Sequence, residues 1–215
     1  MPPRLKPKTP PTTVLLVRHG TTATTGKVLP GRAAGLHLSD AGRAQAQAVA
    51  ERIAALKRVD AVHSSPLERA RETAAPIAAA RGLRVKVDRS LLECDFGEWT
   101  GAELRSLAKQ PEWATVQRYP SGFRFPGGES FVEMAARAQN AVSALVARYS
   151  GGVVVAVSHA DPIKAVVADA LGTPLDLFQR IVISPCSVTA IVFAPLGPTV
   201  LAVNHTGDLA SLRPS

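Results

Sequence analysis

At 215 residues, with 46% of side chains apolar, the chain is long enough for one large domain or two small ones with a real core. Two cysteines, Cys94 and Cys186, exclude a disulfide framework and leave at most one bridge, no Cys/His spacing offers a zinc site, and no stretch reaches the roughly 18 apolar residues of a membrane span. The formal charge of +8 favours anionic partners, yet Arg4, Lys6 and Lys8 supply part of it and no aromatic-rich basic patch follows, so a small phosphorylated molecule fits better than nucleic acid.

Residues 1–13 hold five prolines and little apolar pattern, and read as a flexible tail. The tail is basic but lacks the apolar run of a signal peptide, which points to a soluble, cytoplasmic protein. Val14–Val17 reads as a short buried strand. It stops abruptly at Arg18-His19-Gly20, where Gly20 is expected to permit a turn that a Cβ would resist. Thr21–His37 is loop-like and carries Lys27 and Arg32. Ser39 opens a helix running to Leu56, with Val49, Ile53 and Leu56 on one face. Val59–His63 reads as a second strand and leads into Ser64-Ser65-Pro66-Leu67-Glu68-Arg69. Ser65 and Glu68 fit a capping box with Pro66 at the first helical position, which puts Arg69 in the first turn.

Leu83–Val87 reads as a third strand, followed by the acidic segment Leu91–Trp99 that contains Glu93. Residues 100–128 are irregular, with a short helix expected over Ala102–Ala108. Ser130 and Glu133 form another capping box, and Met134, Ala138, Ala141, Leu145 and Tyr149 line one face of a long helix. Val153–Val157 is a continuous apolar strand of the kind covered on both faces. It ends in Ser158-His159-Ala160-Asp161-Pro162, where Asp161 is the expected N-cap. Arg180–Ile183, Ser187–Phe193 and Val200–Val203 read as further strands, the last two a hairpin. The alternation predicts an α/β fold: a three-layer α/β/α sandwich with a largely parallel sheet and an antiparallel strand near the end. It occupies residues 14–207 as a single domain, with tails at 1–13 and 208–215.

In such a sheet, ligands bind beyond the carboxyl ends of the strands. Three junctions there carry Arg18 and His19, Arg69, and His159. Helix N-termini near Pro66 and Pro162 add backbone N–H groups suited to a phosphate, and two arginines match phosphoryl oxygens in charge and fork geometry. On the residues alone, Arg18-His19-Gly20 is equally a strand end leaving for solvent, and Glu93 an exposed loop carboxylate.

LVRHGTT, SSPLERARETA, LLECDFGEWTG, FPGGES and VSHADPIK decide between these readings. In order and spacing they resemble the histidine phosphatase superfamily, the phosphoglycerate mutase-like group, from about Val14 to Val203. A bacterial subgroup of phosphatases and candidate phosphomutases shares the SHADPIK form. The resemblance implies a phosphoglycerate mutase-like fold and a metal-independent phosphomonoesterase with no cofactor. It implies that His19 is the nucleophile that becomes phosphohistidine, and that Arg18, Arg69 and His159 hold the phosphoryl oxygens. Glu93 would protonate the leaving alkoxide and then activate water. Phosphate-binding positions extend to Thr25 and Ala160, and Arg124 is a candidate for contact with the substrate beyond its phosphate.

The chain departs from the family's common pattern at Thr21 and Thr25, where Glu and Asn are usual, and at Ala160 and Asp161, where two glycines are usual. The related mutases carry a long insertion between the acid and the second histidine and a basic pair after the acid. Here that segment is short and Ser130–Val157 is spent on a helix and a strand; the cations ahead of these are Arg105, Lys109, Arg118 and Arg124, and Cys94 and Asp95 follow Glu93. Hydrolysis is therefore expected in preference to mutase transfer, with a non-catalytic phospho-ligand binder as the alternative of another class. Asp95 is a reserve acid or a structural residue. Trp99 and Trp113 wall the pocket or pack in the core. Cys94 reads as packing, His63 as a strand end, and His37 and His205 as surface. The oligomeric state stays open, a homodimer included.

Overall fold

The computed structural model describes residues 10–207. Strand β1 (Thr12–Arg18) starts ahead of the apolar run, because Thr12 is buried and its hydroxyl donates to the Tyr149 carbonyl at 3.3 Å. The expected tail therefore stops short of Thr12; residues 1–9 and the tail at 208–215 lie outside the described residues. Helix α1 (Asp40–Ala54) is capped as expected, with Ser39 Oγ accepting from the Gly42 N–H. Then come β2 (Ala61–Ser64), α2 (Glu68–Ala79) and β3 (Val85–Val87). Two short helices follow, α3 (Leu104–Leu107) and α4 (Pro111–Arg118), the second unforeseen in the irregular stretch. Helix α5 (Phe131–Arg148) has both halves of its Ser130/Glu133 capping box. β4 (Val153–Ser158), α6 (Ala160–Ala170) and the hairpin β5 (Val188–Ala194) and β6 (Gly197–His205) complete the chain.

The sheet has six strands in the order β3-β2-β4-β1-β5-β6. The first four are parallel; β5 runs antiparallel to β1, and β6 to β5. Alternation along β1 divides the core. Leu15 and Val17 face α1 and α2 together with Val49, Ile53, Ala74 and Ile77. Val14 and Leu16 face α5 and α6 together with Ala138, Leu145, Ile163 and Val167. Each fully buried Leu or Ile contributes about 1.5–3 kcal/mol, so these two faces hold the sheet rigid under whatever is built at its edge. The segment between β3 and α5 has a third core of its own. There Phe96, Trp99, Phe125 and Phe131 pack with Phe178, and Trp113 stacks on Trp99 with ring centroids 6.4 Å apart. Both tryptophans thus belong to packing.

Three local expectations are corrected. Residues 180–183 form no strand: a 3₁₀ segment runs over Leu175–Arg180, β5 already occupies the edge of β1, and the Ile183 carbonyl turns to accept from Arg18. Ser65 and Glu68 make no capping box. The helix starts at Glu68 behind Leu67, and the Ser65 hydroxyl is engaged by His159. Asp161 is not the N-cap of α6 either, because His159 holds that position and Ala160 is the first helical residue.

Candidate active site

Register assembles the site. Arg18 lies opposite Ser158 across the β1–β4 ladder, and Ser64 opposite Val157 across β2–β4. His19, Ser65 and His159 therefore leave the sheet at the same level, one residue beyond their strands. Helix α2 returns Arg69 to that level. Both cysteines are free.

His19 is 5% exposed, and Arg69 and His159 are 0% exposed. His19 Nδ1 lies 2.8 Å from the Gly20 carbonyl, which can only accept, so Nδ1 carries the ring proton and Nε2 keeps the lone pair. Arg69 Nε donates to that Nε2 at 3.3 Å. Burial, followed by the Arg69 and Arg18 charges, lowers the pKa of His19 to about 3. Burial and the neighbouring His19 push His159 well below the usual histidine range. Both rings are thus neutral near pH 7, with centroids 5.1 Å apart. His159 Nε2 is 2.8 Å from Ser65 Oγ.

The two arginines are anchored but not saturated. Arg18 Nη1 donates to the Ile183 carbonyl at 2.6 Å, and Arg69 Nη2 to the Gly31 carbonyl at 2.7 Å. Arg18 Nε, Arg69 Nη1 and His159 Nδ1 are buried with no partner among the described residues. Burial works against the charge of both guanidiniums, while Glu93 close by supports it. Buried donors of this kind are costly unless an anion meets them.

Gly20 is required by proximity rather than by a turn. Its φ is not in the left-handed region, but an added Cβ would lie 2.7 Å from the Gly42 carbonyl oxygen of α1. The Gly20 N–H is fixed by Thr73 Oγ1 at 3.0 Å, so α1 and α2 together hold the residue after His19.

Glu93 enters from the loop after β3 and is 6% exposed. Burial, then the nearby Asp161 charge, raise its carboxyl to about 7, against the opposing Cys94 N–H and the two arginines. Its Oε1 accepts from the Cys94 N–H at 2.9 Å. The FPGGES segment backs this loop: Glu98 N–H donates to Pro126 O and Glu129 N–H to Asp95 O, both at 2.9 Å. A Cβ on Gly128 would strike Asp95 O at 2.3 Å, so only glycine admits this contact.

A neutral, buried histidine that keeps its Nε2 lone pair, two arginines with buried unsatisfied N–H groups and a protonatable carboxyl suit transfer of an anionic group. The model of the histidine phosphatase superfamily (branch 1) matches residues 14–206. The chain belongs to the histidine phosphatase superfamily. The bifunctional protein Rv2228c of Mycobacterium tuberculosis is 34% identical over 207 residues, 93% of this chain and 55% of that protein, so this chain spans about half the length of that relative. Phosphoserine phosphatase 1 of Hydrogenobacter thermophilus is 29% identical over 182 residues, covering 80% of this chain and 82% of that one. Among solved structures, a mycobacterial glucosyl-3-phosphoglycerate phosphatase superposes with a TM-score of 0.81 at 28% identity, over 91% of this chain and 100% of that one.

Within this superfamily member, the structure brings together Arg18, His19, Arg69, Glu93 and His159. Ala160 opens α6 beside them, so its N–H lies at the positive end of that helix. Thr25 braces its own loop, its hydroxyl accepting from the Thr22 N–H at 2.9 Å and meeting Thr22 Oγ1 at 3.0 Å. Arg124 pairs with Glu133 and donates to the Gly128 carbonyl, contacts that hold its loop rather than the His19 cluster. Asp95 accepts from Arg32 at 3.3 Å and from the Gly97 N–H at 3.1 Å. His63 is buried against Tyr149, its Nε2 3.0 Å from the phenolic oxygen, and His37 is exposed beside Glu72. Sequence reasoning missed Ser65 as a partner of His159, Asp161 as a neighbour of Glu93, and the roles of Arg32, Glu129 and Arg137. Only the capping-like SSPLE pattern singled out Ser65, and for a different task.

Proposed function

We propose that this chain is a metal-independent phosphomonoesterase that hydrolyses a small phosphorylated metabolite through a phosphohistidine at His19. The observation that carries this is the neutral, buried His19 with its Nε2 lone pair beside Arg69 and buried N–H groups of Arg18, Arg69 and His159 left to meet an anion. A phosphatase name on one of the two relatives and on the solved neighbour lends support.

In the first step, His19 Nε2 attacks phosphorus and the bond from phosphorus to the leaving oxygen breaks. The Glu93 carboxyl passes its proton to that oxygen, which departs as an alcohol. In the second step, Glu93 takes a proton from water, the hydroxide attacks phosphorus, and the phosphorus–nitrogen bond breaks to return neutral His19 and inorganic phosphate. The cationic pocket stabilises charge on the equatorial oxygens throughout. With the Ser65 hydroxyl donating to His159 Nε2, its Nδ1–H is left to face the phosphoryl group.

The test uses a panel of phosphorylated metabolites with EDTA present. Phosphate release should survive chelation, vanadate should inhibit it, and a coupled assay with 3-phosphoglycerate and 2,3-bisphosphoglycerate should show little isomerisation. A strict need for added Mg²⁺ or Zn²⁺ would contradict the proposal. Mutase turnover exceeding phosphate release would replace hydrolysis by transfer while leaving the phosphohistidine in place.

A further inference from the structure

Glu93 sits on a loop with no strand or α-helix to hold it, yet general acid catalysis needs its carboxyl aimed at one oxygen. We propose that Arg32, Glu129 and Arg137 form a clamp that positions Glu93, with Glu129 as its hub; this rests on the acid role given to Glu93 above. Two segments far apart in the chain, one at Arg32 and one at Glu129 and Arg137, converge behind the loop. Arg32 Nε and Arg137 Nη2 both donate to the Glu93 carbonyl, at 2.9 and 3.2 Å. Arg137 Nη1 also takes the Ser90 and Leu92 carbonyls, at 2.9 and 2.8 Å. Glu129 binds Arg137 through both oxygens at 2.9 Å, accepts the Asp95 N–H at 3.0 Å and pairs with Arg32 at 2.8 Å. The backbone on both sides of Cys94 is thus fixed, and the Cys94 N–H then orients the Glu93 carboxyl.

Two features make this a positioning device rather than general loop stabilisation. Arg32 and Arg137 are balanced in charge by Glu129 and Asp95, so the clamp adds no net charge beside the site. The residue before Arg32 is Gly31, whose carbonyl anchors Arg69. One dipeptide therefore ties both the guanidinium beside His19 and the acid, and so sets their separation. A misplacement of about 1 Å in such a constellation costs on the order of 10²-fold in rate.

The experiment measures the phosphorylation step by rapid quench, on p-nitrophenyl phosphate and on the alkyl phosphate hydrolysed fastest in the panel above. Arg32→Lys keeps the charge and loses the fork; Glu129→Gln keeps the shape and loses the hub's charge. Both should slow the alkyl substrate about 10²-fold while the burst of p-nitrophenol stays near the wild-type rate. On a Glu93→Gln background, Arg32→Lys should cost nothing further, because a residue acting through Glu93 has nothing left to position. Where Glu129→Gln does not fold, Arg137→Lys takes its place. Equal losses on both substrates, unchanged rates, or additivity with Glu93→Gln would overturn the clamp while leaving the acid role intact. If Glu93→Gln itself fails to separate the two substrates, the acid role falls and the clamp falls with it.

Discussion

The two halves of the site are held by different physics. His19, Arg69 and His159 stand at strand ends and on a helix, over two apolar cores that fix the sheet from both faces. Glu93 stands on an irregular loop fixed by arginine side chains and a glycine-lined turn. The proposed anion pocket is thus a product of topology, while the placing of the proposed acid is a product of ion pairs. Topology sets position to within a ladder register and serves every substrate alike. In the proposed reaction ion pairs set the aim of one proton donor, which matters only where the leaving group needs the proton.

The sharpest way to break this division is to remove the proposed nucleophile, His19. His19→Ala should lower turnover at least about 10³-fold on aryl and alkyl phosphates alike, measured as steady-state phosphate release. Near-normal turnover on either substrate would dissolve the distinction. Glu93→Gln should act more selectively, slowing alkyl phosphates about 10²–10⁴-fold and the p-nitrophenyl burst far less. Equal losses would put Glu93 among the general supports of the pocket.

Titration sharpens the comparison further. The Glu93 carboxyl, raised to about 7, would as the proposed acid deliver its proton only below that pH, whereas His19, lowered to about 3, is neutral across the whole range above it. The ratio of alkyl to aryl phosphorylation rates should be flat from about pH 4 to 6 and fall tenfold per pH unit above about 7. Each rate is expressed per substrate dianion before the ratio is taken, because aryl and alkyl phosphates lose their second proton at different pH. A flat ratio up to pH 9 would mean that Glu93 donates no proton.

The smallest effect expected is on stability. A carboxyl whose folded pKa exceeds its unfolded value favours the fold fully only below the unfolded pKa, and this contribution is lost as pH rises through the folded pKa. Glu93→Gln should therefore raise the thermal midpoint at pH 8 by roughly 3 °C or more and change it little at pH 4.5. The buried histidines run the other way. Their lowered values mean that the unfolded chain takes up protons first, so stability should decline as pH falls below about 6.5. A melting series across pH checks both signs.

Sequence pattern and topology agree where regular structure does the positioning. The apolar run at Val153–Val157, the SSPL junction and the Ser130/Glu133 box each announce a local element, and the parallel register then brings their ends together. The acid's surroundings were not readable in the same way. Arg32 reads only as a loop cation and nothing in the sequence singles out Arg137, because a clamp closed between residues 32, 93, 129 and 137 has no periodicity. Val182 and Ile183 carry strand-like residues, but the slot beside β1 was already filled by β5, a fact that only the assembled sheet contains. The N-cap of α6 lies two residues ahead of Asp161 for a similar reason: His159 follows directly on the strand and caps the helix at once.

The central claim is that phosphoryl transfer passes through His19 Nε2. Mixing the enzyme with ³²P-labelled substrate, quenching within milliseconds and mapping the label by peptide mass spectrometry tests it directly. The account predicts a base-stable, acid-labile phosphoryl group on His19, formed as fast as the first alcohol is released and absent in His19→Ala. Alcohol released at full rate with no label on His19, or label on any other residue, would contradict it.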